Sequence, residues 1–567
     1  MSYYNQEELY KDKEKRTVYQ EIYNNNCDYS KDLAIEFFGA KINYEKLFKK
    51  IDQTAKAFQE YGIKKGDFVT ICAAGIPETV YSFYALSKLG AVANMIAPYF
   101  DPKDLVARIS DCESDLLIIM DKFYPILKEA IKKSRIKNIV VLPTLNSSLL
   151  RYISKKYKLD THNNELYWNQ FIKDGIKRSV PETTPYEKDL ALAMVYSSGT
   201  TGASKGILLS NDSFQNSIQA YPASGVDIRR GQKFYQIIPP WFSTGLSTSI
   251  HLPLSYGTSV FMDPRYEREI FVKNILKAKP NYAVAPTSMY EGFLNKKLVK
   301  NKDLSFFNYP FEGGEPLSNE VATKIEKVFK EHGSNAKLRV AYGQCECGAA
   351  ITTQTQKAHS PSGSVGIPLP GVTIGIFDKD YNELTYNTRG EILANTPCSM
   401  LAYYKNEEAS KEYFHYDKEG KRWNRTGDIG YIDETGNLFV EGRASDYSLV
   451  NGEKIYNFDL EKILMELDYI KMCDVLETEI DGHKELAVHL IFKDTFKENL
   501  DKDRKYLDDC LYDIQKYVYD KSLNENMTPY IFKVRESFPY AKSGKRDTQK
   551  LKAEKDDFTI ISRWKSK

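Results

Sequence analysis

Val195-Tyr196-Ser197-Ser198-Gly199-Thr200-Thr201-Gly202-Ala203-Ser204-Lys205-Gly206-Ile207-Leu208-Leu209-Ser210 is the stretch around which the rest of this 567-residue chain can be arranged. It follows an apolar run, residues 190–195, that reads as a buried strand. Glycines at 199, 202 and 206 let the backbone fold back and bring N–H groups close to a ligand. Hydroxyl side chains donate to anionic oxygens, and Lys205 adds a point positive charge. Strand, glycine-rich loop and lysine in that order suit a polyphosphate better than a plain surface turn. The loop is not a Walker A sequence, because Ala203 and Ser204 separate Gly202 from Lys205.

Composition narrows the classes. With 42% hydrophobic residues the chain can bury a large core without staples, and its length suits roughly three or four structural units. A net charge of +2 gives no argument for nucleic acid or an anionic membrane. The eight cysteines are scattered and read as reduced thiols. Only Cys345 and Cys347 lie close together, which is weak grounds for a metal site. The N-terminus is polar, and no apolar run approaches the ~20 residues needed to span a bilayer. The expectation is a cytoplasmic protein with peripheral membrane contact undetermined.

Outward from the loop, apolar strands alternate with amphipathic helices. A strand running into a turn is expected at 33–40 and strands at 68–72, 116–120 and 138–142, with helices over 77–90 and along Tyr44, Leu47, Phe48, Ile51, Ala55 and Phe58. Beyond the loop, strands fit 234–238, 258–262 and 282–285. Ser318 reads as the N-cap of a helix carrying Val321, Ile325, Val328 and Phe329 inward. This alternation argues for parallel, doubly covered sheets. From about 365 to 443, Pro-Gly and Asp-rich turns between short strands predict hairpins and a β-rich subdomain. After Gly442-Arg443 a compact α+β pattern begins, with helices at 459–467 and 504–522 and a strand at 486–492.

Taken together, these blocks resemble the adenylate-forming superfamily of acyl-CoA synthetases, luciferases and adenylation domains. Residues 195–206 are similar to its phosphate signature. Phe311-Glu312-Gly313-Gly314-Glu315-Pro316-Leu317 resembles its adenine-side loop, and Ala341-Tyr342-Gly343-Gln344-Cys345-Glu346 its Tyr-Gly-x-Thr-Glu signature. Thr426-Gly427-Asp428 is similar to the ribose signature, Gly442-Arg443-Ala444-Ser445-Asp446 to the hinge, and 539–547 to the catalytic-lysine segment. The resemblance implies an α/β fold: an N-terminal AMP-binding domain, 1–443, of two covered sheets plus the β-rich subdomain, and a small mobile α+β lid domain, 446–567.

It also implies roles. Ser197, Ser198, Gly199, Thr200, Thr201, Gly202 and Lys205 would surround the β- and γ-phosphates of ATP. Gly314, Glu315, Pro316, Tyr342, Gly343 and Cys345 would line the adenine side, Asp428 would take the ribose hydroxyls and Arg443 ribose or phosphate. Glu346 would hold Mg²⁺, and Lys545 would neutralise the carboxylate and α-phosphate as they meet. Ser445 would be the hinge, and Gly452 and Lys454 would face the thiol or a phosphate. Read without the resemblance, Tyr342 could be core, Asp428 part of a turn, and Lys454 an exposed lysine. Cys345 replaces a usual Thr, Ser445 a usual Asp or Lys, Asn457 a usual Pro and Asp459 a usual Glu.

Trp241 and Phe242 fall on the acid-side motif, with core packing as the alternative. Ser243 stands where amino-acid-activating relatives carry an Asp, so an α-amino acid would lack a partner for its ammonium. The reading is ATP-dependent activation of an apolar acyl or aryl acid, in particular a fatty acid, followed by transfer to coenzyme A. The alternative acceptor is the phosphopantetheine of an acyl or peptidyl carrier protein. A third reading, an inactive homologue used as a binding module, conflicts with retention of Lys545, Glu346 and Asp428.

Overall fold

A computed structural model describes residues 14–153, 159, 164–197, 204–315, 317–355, 358–480, 482–500, 504–540, 546–554 and 556–564. The chain divides into two compact units, one of residues up to Thr426 together with Tyr431–Phe439, the other of Gly427–Gly430 and Val440–Lys567.

The first unit is built on two large sheets. One has nine strands in the order Ile367–Pro368, Ala350–Thr353, Arg339–Gly343, Tyr309–Glu312, Tyr282–Ala285, Lys233–Gln236, Ser259–Met262, Leu33–Phe37, Ala40–Asn43. Its six central strands run parallel, and the antiparallel pairs sit at its two ends. The second has eight strands, in the order Ala402–Tyr403, Gly206–Ser210, Ala191–Tyr196, Val92–Met95, Phe68–Cys72, Leu116–Met120, Asn138–Leu142, Glu165–Tyr167. Here the strand after the glycine-rich loop turns back antiparallel on the strand before it.

Helices Tyr44–Glu60, Pro77–Leu89 and Asn211–Ala223 contribute to one core that also takes side chains from both sheets. Every residue of Pro77–Leu89 is buried, which explains why this helix shows little amphipathic pattern. It stops where expected, at Gly90, whose φ of 70° only glycine adopts readily. The outer faces carry further cores. Helices Pro102–Asp111 and Tyr124–Ile131 cover the second sheet, and Arg268–Ala278 and Asn319–Glu331 cover the first. Both sheets are thus covered on two faces, the arrangement that continuous apolar strands require.

Three hairpins follow in the β-rich region, between Thr373–Phe377 and Gly390–Asn395, Phe414–Tyr416 and Arg422–Ile432, and Arg422–Ile432 and Leu438–Arg443. Each turn is closed by an aspartate accepting from backbone N–H groups two and four residues on: Asp378, Asp417 and Asp433.

The second unit holds a four-stranded sheet, Ile470–Ile480, His483–Phe492, Ile531–Val534 and Thr559–Ile560, packed with helices Asn457–Leu464 and Arg504–Ser522. Its hairpin Tyr447–Val450 and Glu453–Tyr456 turns on Asn451-Gly452, both with positive φ.

Most expected elements are present. The strand running into a turn expected at 33–40 is present as strand Leu33–Phe37, after which Phe38 and Gly39 both take positive φ and start a hairpin. The helix expected at 459–467 spans Asn457–Leu464. Ser318 caps Asn319–Glu331, with Ile325 and Phe329 fully buried and Val321 and Val328 at the rim of that core.

Candidate active site

The glycine-rich loop joins two strands that pair antiparallel, Ala191–Tyr196 and Gly206–Ser210. Its base is locked: Ser197 N–H donates to Lys205 O at 3.1 Å, Lys205 N–H to Ser197 Oγ at 3.0 Å, and Ser204 Oγ to Ser197 O at 2.6 Å. Ser198, Gly199, Thr200, Thr201 and Gly202 lie outside the described residues, as do Pro316 and Lys545.

Lys205 is tied to the candidate metal carboxylate through an intermediate that the sequence did not single out. Its Nζ lies 4.9 Å from the centroid of the Tyr403 ring, and the Tyr403 hydroxyl donates to Glu346 Oε1 at 3.0 Å. Tyr403 belongs to the edge strand paired with Gly206–Ser210, which delivers its ring to the loop's base. Glu346 sits in the 3₁₀ turn Cys345–Cys347, between antiparallel strands Arg339–Gly343 and Ala350–Thr353, and its carbonyl accepts from Met400 N–H. Ser197, Lys205 and Glu346 are therefore joined through one tyrosine. Nothing in the sequence marks Tyr403 among 41 tyrosines.

Tyr342 is half-exposed, so it is not a core residue. Gly343 is exposed, and a Cβ there would come within 2.1 Å of the Ala349 carbonyl oxygen. That closeness leaves no room for a side chain at this position. Cys345 is half-exposed, whereas Cys347 is buried and its thiol is pushed up to about 11 by burial. No cysteine is disulfide-bonded. Among the described residues no three His, Cys, Asp or Glu side chains gather into a metal cluster. A lone carboxylate fits Mg²⁺, which binds through one or two carboxylates plus substrate phosphates.

On the loop proposed from sequence for the adenine side, Gly314 has φ of 95° with open space about it. The Glu315 carboxylate accepts from Ser288 N–H at 2.8 Å and Ser288 Oγ at 3.0 Å, and Glu315 N–H donates to Glu312 Oε1 at 3.2 Å. Glu312 is completely buried, which pushes its carboxyl up to about 8. The pair anchors the turn that presents Gly313 and Gly314.

Trp241 and Phe242 are both half-buried. Trp241 packs edge-on against Tyr99, with centroids 6.1 Å apart. Phe242 caps a helical run, 243–255, whose middle segment, Ser247–His251, is π-helical. Pro253 has no N–H to donate back to Ser249, which accounts for the widened turn. A small cavity of about 20 Å³, room for about one water, lies along this run, lined by Thr248, Leu252 and Pro253, by Tyr221, and by Phe234, Tyr282, Val284 and Phe311 from the sheet. Two turns from Phe242, His251 is fully buried; burial lowers its imidazole to about 3 and so keeps it neutral. Its Nδ1 lies 3.2 Å from both the Tyr84 hydroxyl and Ser255 Oγ.

In the second unit, Asp428 is buried within strand Arg422–Ile432 rather than in a turn, and pairs with Arg443 Nε at 3.1 Å. Ala444 N–H donates to Gly427 O, and Asp446 N–H closes the turn that contains the exposed Ser445. Asn457, the replacement for a proline, is buried here. Its Nδ2 donates to Asp446 Oδ1 at 2.8 Å and its Oδ1 accepts from Ser448 Oγ at 2.7 Å. Gly452 is required by its hairpin turn and has open space around it. Lys454 is exposed, its Nζ 4.4 and 4.5 Å from the rings of Tyr447 and Tyr456.

A family model described as AMP-binding enzyme matches residues 24–404. The chain is 25% identical over 454 residues to a long-chain-fatty-acid–CoA ligase of Bacillus subtilis (strain 168), covering 77% of this chain and 78% of that one. It is 27% identical over 421 residues to probable 4-coumarate–CoA ligase 1 of Dictyostelium discoideum, covering 73% and 74%. Its fold is similar to the crystal structure of the anthranilate CoA ligase AuaEII in complex with anthranoyl-AMP, at a TM-score of 0.76 and 19% identity over 94% of this chain and 96% of that one. The family match spans well over half of the chain, and this protein belongs to the AMP-binding enzyme family.

Proposed function

We propose that the protein joins an apolar carboxylic acid to the thiol of coenzyme A through an acyl-adenylate, consuming ATP and releasing pyrophosphate and AMP. The link from Lys205 through Tyr403 to Glu346 carries the reading, because it sets a cation and a carboxylate on one tyrosine at the base of the glycine-rich hairpin. In this reading Lys205 and the hairpin bind the β- and γ-phosphates, and Glu346 with the phosphates holds Mg²⁺, which offsets charge on the leaving pyrophosphate. Tyr403 fixes the orientation of Glu346. Asp428 receives the ribose hydroxyls, Arg443 steadies Asp428, and Tyr342 offers its face to adenine. Lys545 neutralises the two anions as the acid attacks the α-phosphorus. The ligase names of the relatives support coenzyme A as the acceptor.

The half-buried Trp241 and Phe242 support an apolar acid, whether an acyl chain or an aryl ring. The test is pyrophosphate release across a panel of straight-chain and aryl acids, then thioester formation with coenzyme A or with a phosphopantetheinylated carrier. Thioester on coenzyme A supports the reading. Adenylate that reacts only with a carrier replaces the acceptor, and silence with every acid removes the enzyme reading.

A further inference from the structure

Arg108 is a buried charge whose neighbours do not satisfy it. It lies on helix Pro102–Asp111, which connects strands Val92–Met95 and Leu116–Met120, and its side chain is only 7% exposed. The guanidinium stacks at 3.6 Å on the Phe100 ring and lies 5.0 Å from the Tyr196 ring. Its nearest carboxylate is Asp104, 4.0 Å away and itself largely exposed. Nε and Nη1 are enclosed and donate no hydrogen bond among the described residues. Tyr196 does not help, because its hydroxyl donates to Asn94 Oδ1.

Such an arrangement is costly. A guanidinium stays protonated in proteins, and each buried unpaired donor costs roughly 1–3 kcal/mol. Stacking on two rings offsets part of that. Burial accordingly works against the charge. An incoming anion would satisfy one of these free N–H groups together with Nη2, since each edge of the planar guanidinium matches two phosphate oxygens. The location selects the anion. Tyr196 immediately precedes Ser197, whose backbone pairs with Lys205 at the hairpin's base. It is also the last residue of its strand, and ligands of α/β sheets gather at the carboxyl ends of strands.

We propose that Arg108 binds phosphate at the base of the glycine-rich hairpin, contacting the β- or γ-phosphate of ATP and then the pyrophosphate that leaves. This rests on the reading of that hairpin as the triphosphate site. Phe100 and Tyr196 hold the guanidinium planar and ready, and Lys205 supplies the second cation.

The experiment measures binding of ATP, AMP and pyrophosphate to the full-length protein, without acid, for wild type, Arg108→Met and Arg108→Lys. Loss of a phosphate contact weakens ATP and pyrophosphate at least about tenfold in Arg108→Met and leaves AMP within about twofold, since AMP lacks both outer phosphates. Arg108→Lys, which keeps the charge without the fork, falls between. The thermal midpoint without ligand does not drop in Arg108→Met, because the substitution removes an unsatisfied buried charge. Unchanged ATP and pyrophosphate affinity in Arg108→Met overturns the assignment. So does an equal loss for all three ligands with a lower midpoint, which marks a packing role. A wild type that fails to bind ATP sinks the triphosphate reading along with it, whereas a wild type that binds ATP no better than Arg108→Met sinks the Arg108 role alone.

Discussion

At the residue scale, Glu346 and Tyr403 form the pair most open to test. Glu346→Gln removes the proposed metal carboxylate while keeping the shape of the side chain. It should lower acid-dependent pyrophosphate exchange by about 10²–10³, the range for losing one strong electrostatic contact in a transition state. Tyr403→Phe keeps the ring under Lys205 and deletes the hydroxyl that donates to Glu346. A bond to a charged group contributes about 1.5–3 kcal/mol, so the exchange rate should fall about tenfold or more with ATP affinity largely kept. Glu312 makes a prediction about pH. Its carboxyl titrates near 8 in the folded protein, above its unfolded value, so folding favours the protonated form. Its contribution is full at acid pH and is lost as pH rises through about 8. The thermal midpoint of Glu312→Gln should therefore gain on wild type between pH 5 and pH 9, measured at matched ionic strength. Glu346, Lys205 and Asp428 were legible in the sequence because they sit inside short motifs. Tyr403 and Arg108 were not, because each acts on a residue far away in the chain, Glu346 and Tyr196. Asn457 read only as a departure from a proline. Its two side-chain hydrogen bonds to Asp446 and Ser448 show what the amide does in that place.

Among the elements, strand Ala191–Tyr196 was readable from its apolar run, whereas its antiparallel partner Gly206–Ser210 was not singled out, because pairing leaves no local mark. Helix ends at Gly90 and Ser318 were readable because a cap residue does leave one. Strand Ile470–Ile480 escaped, because Lys471, Asp474, Glu477 and Glu479 interrupt its apolar pattern; its buried side chains are those facing the core. The π-helical turn Ser247–His251 also escaped, although Pro253 is its cause, because one proline near a helix end does not say which turn widens. That run lines the cavity, and the cavity gives the prediction at this scale. Leu252→Phe overfills this small space beside Val284 and Phe311, and overpacking costs about 1–3 kcal/mol, so its thermal midpoint should fall below that of wild type. An unchanged midpoint would contradict the tight packing of this run.

For the whole molecule, the alternation of strands and helices was enough to foresee two covered sheets, a β-rich region and a smaller α+β part. Strand order was not legible, because it depends on which crossovers pack and not on any local pattern. The division between the two units runs through strands Arg422–Ile432 and Leu438–Arg443, ahead of the boundary expected at 443–446. The ion pair of Asp428 with Arg443 ties those two strand segments together, and Gly442 packs closely on Phe458 of helix Asn457–Leu464. On the proposed chemistry, Lys545→Ala should abolish adenylate formation yet leave thioester formation from a supplied acyl-adenylate largely intact, read by mass spectrometry of the thioester. The most direct test of the central claim is acid-dependent pyrophosphate release with ATP and Mg²⁺ over straight-chain and aryl acids, with coenzyme A added in a parallel series. The account predicts release with at least one apolar acid and its thioester with coenzyme A; no release from any acid in the panel would contradict it.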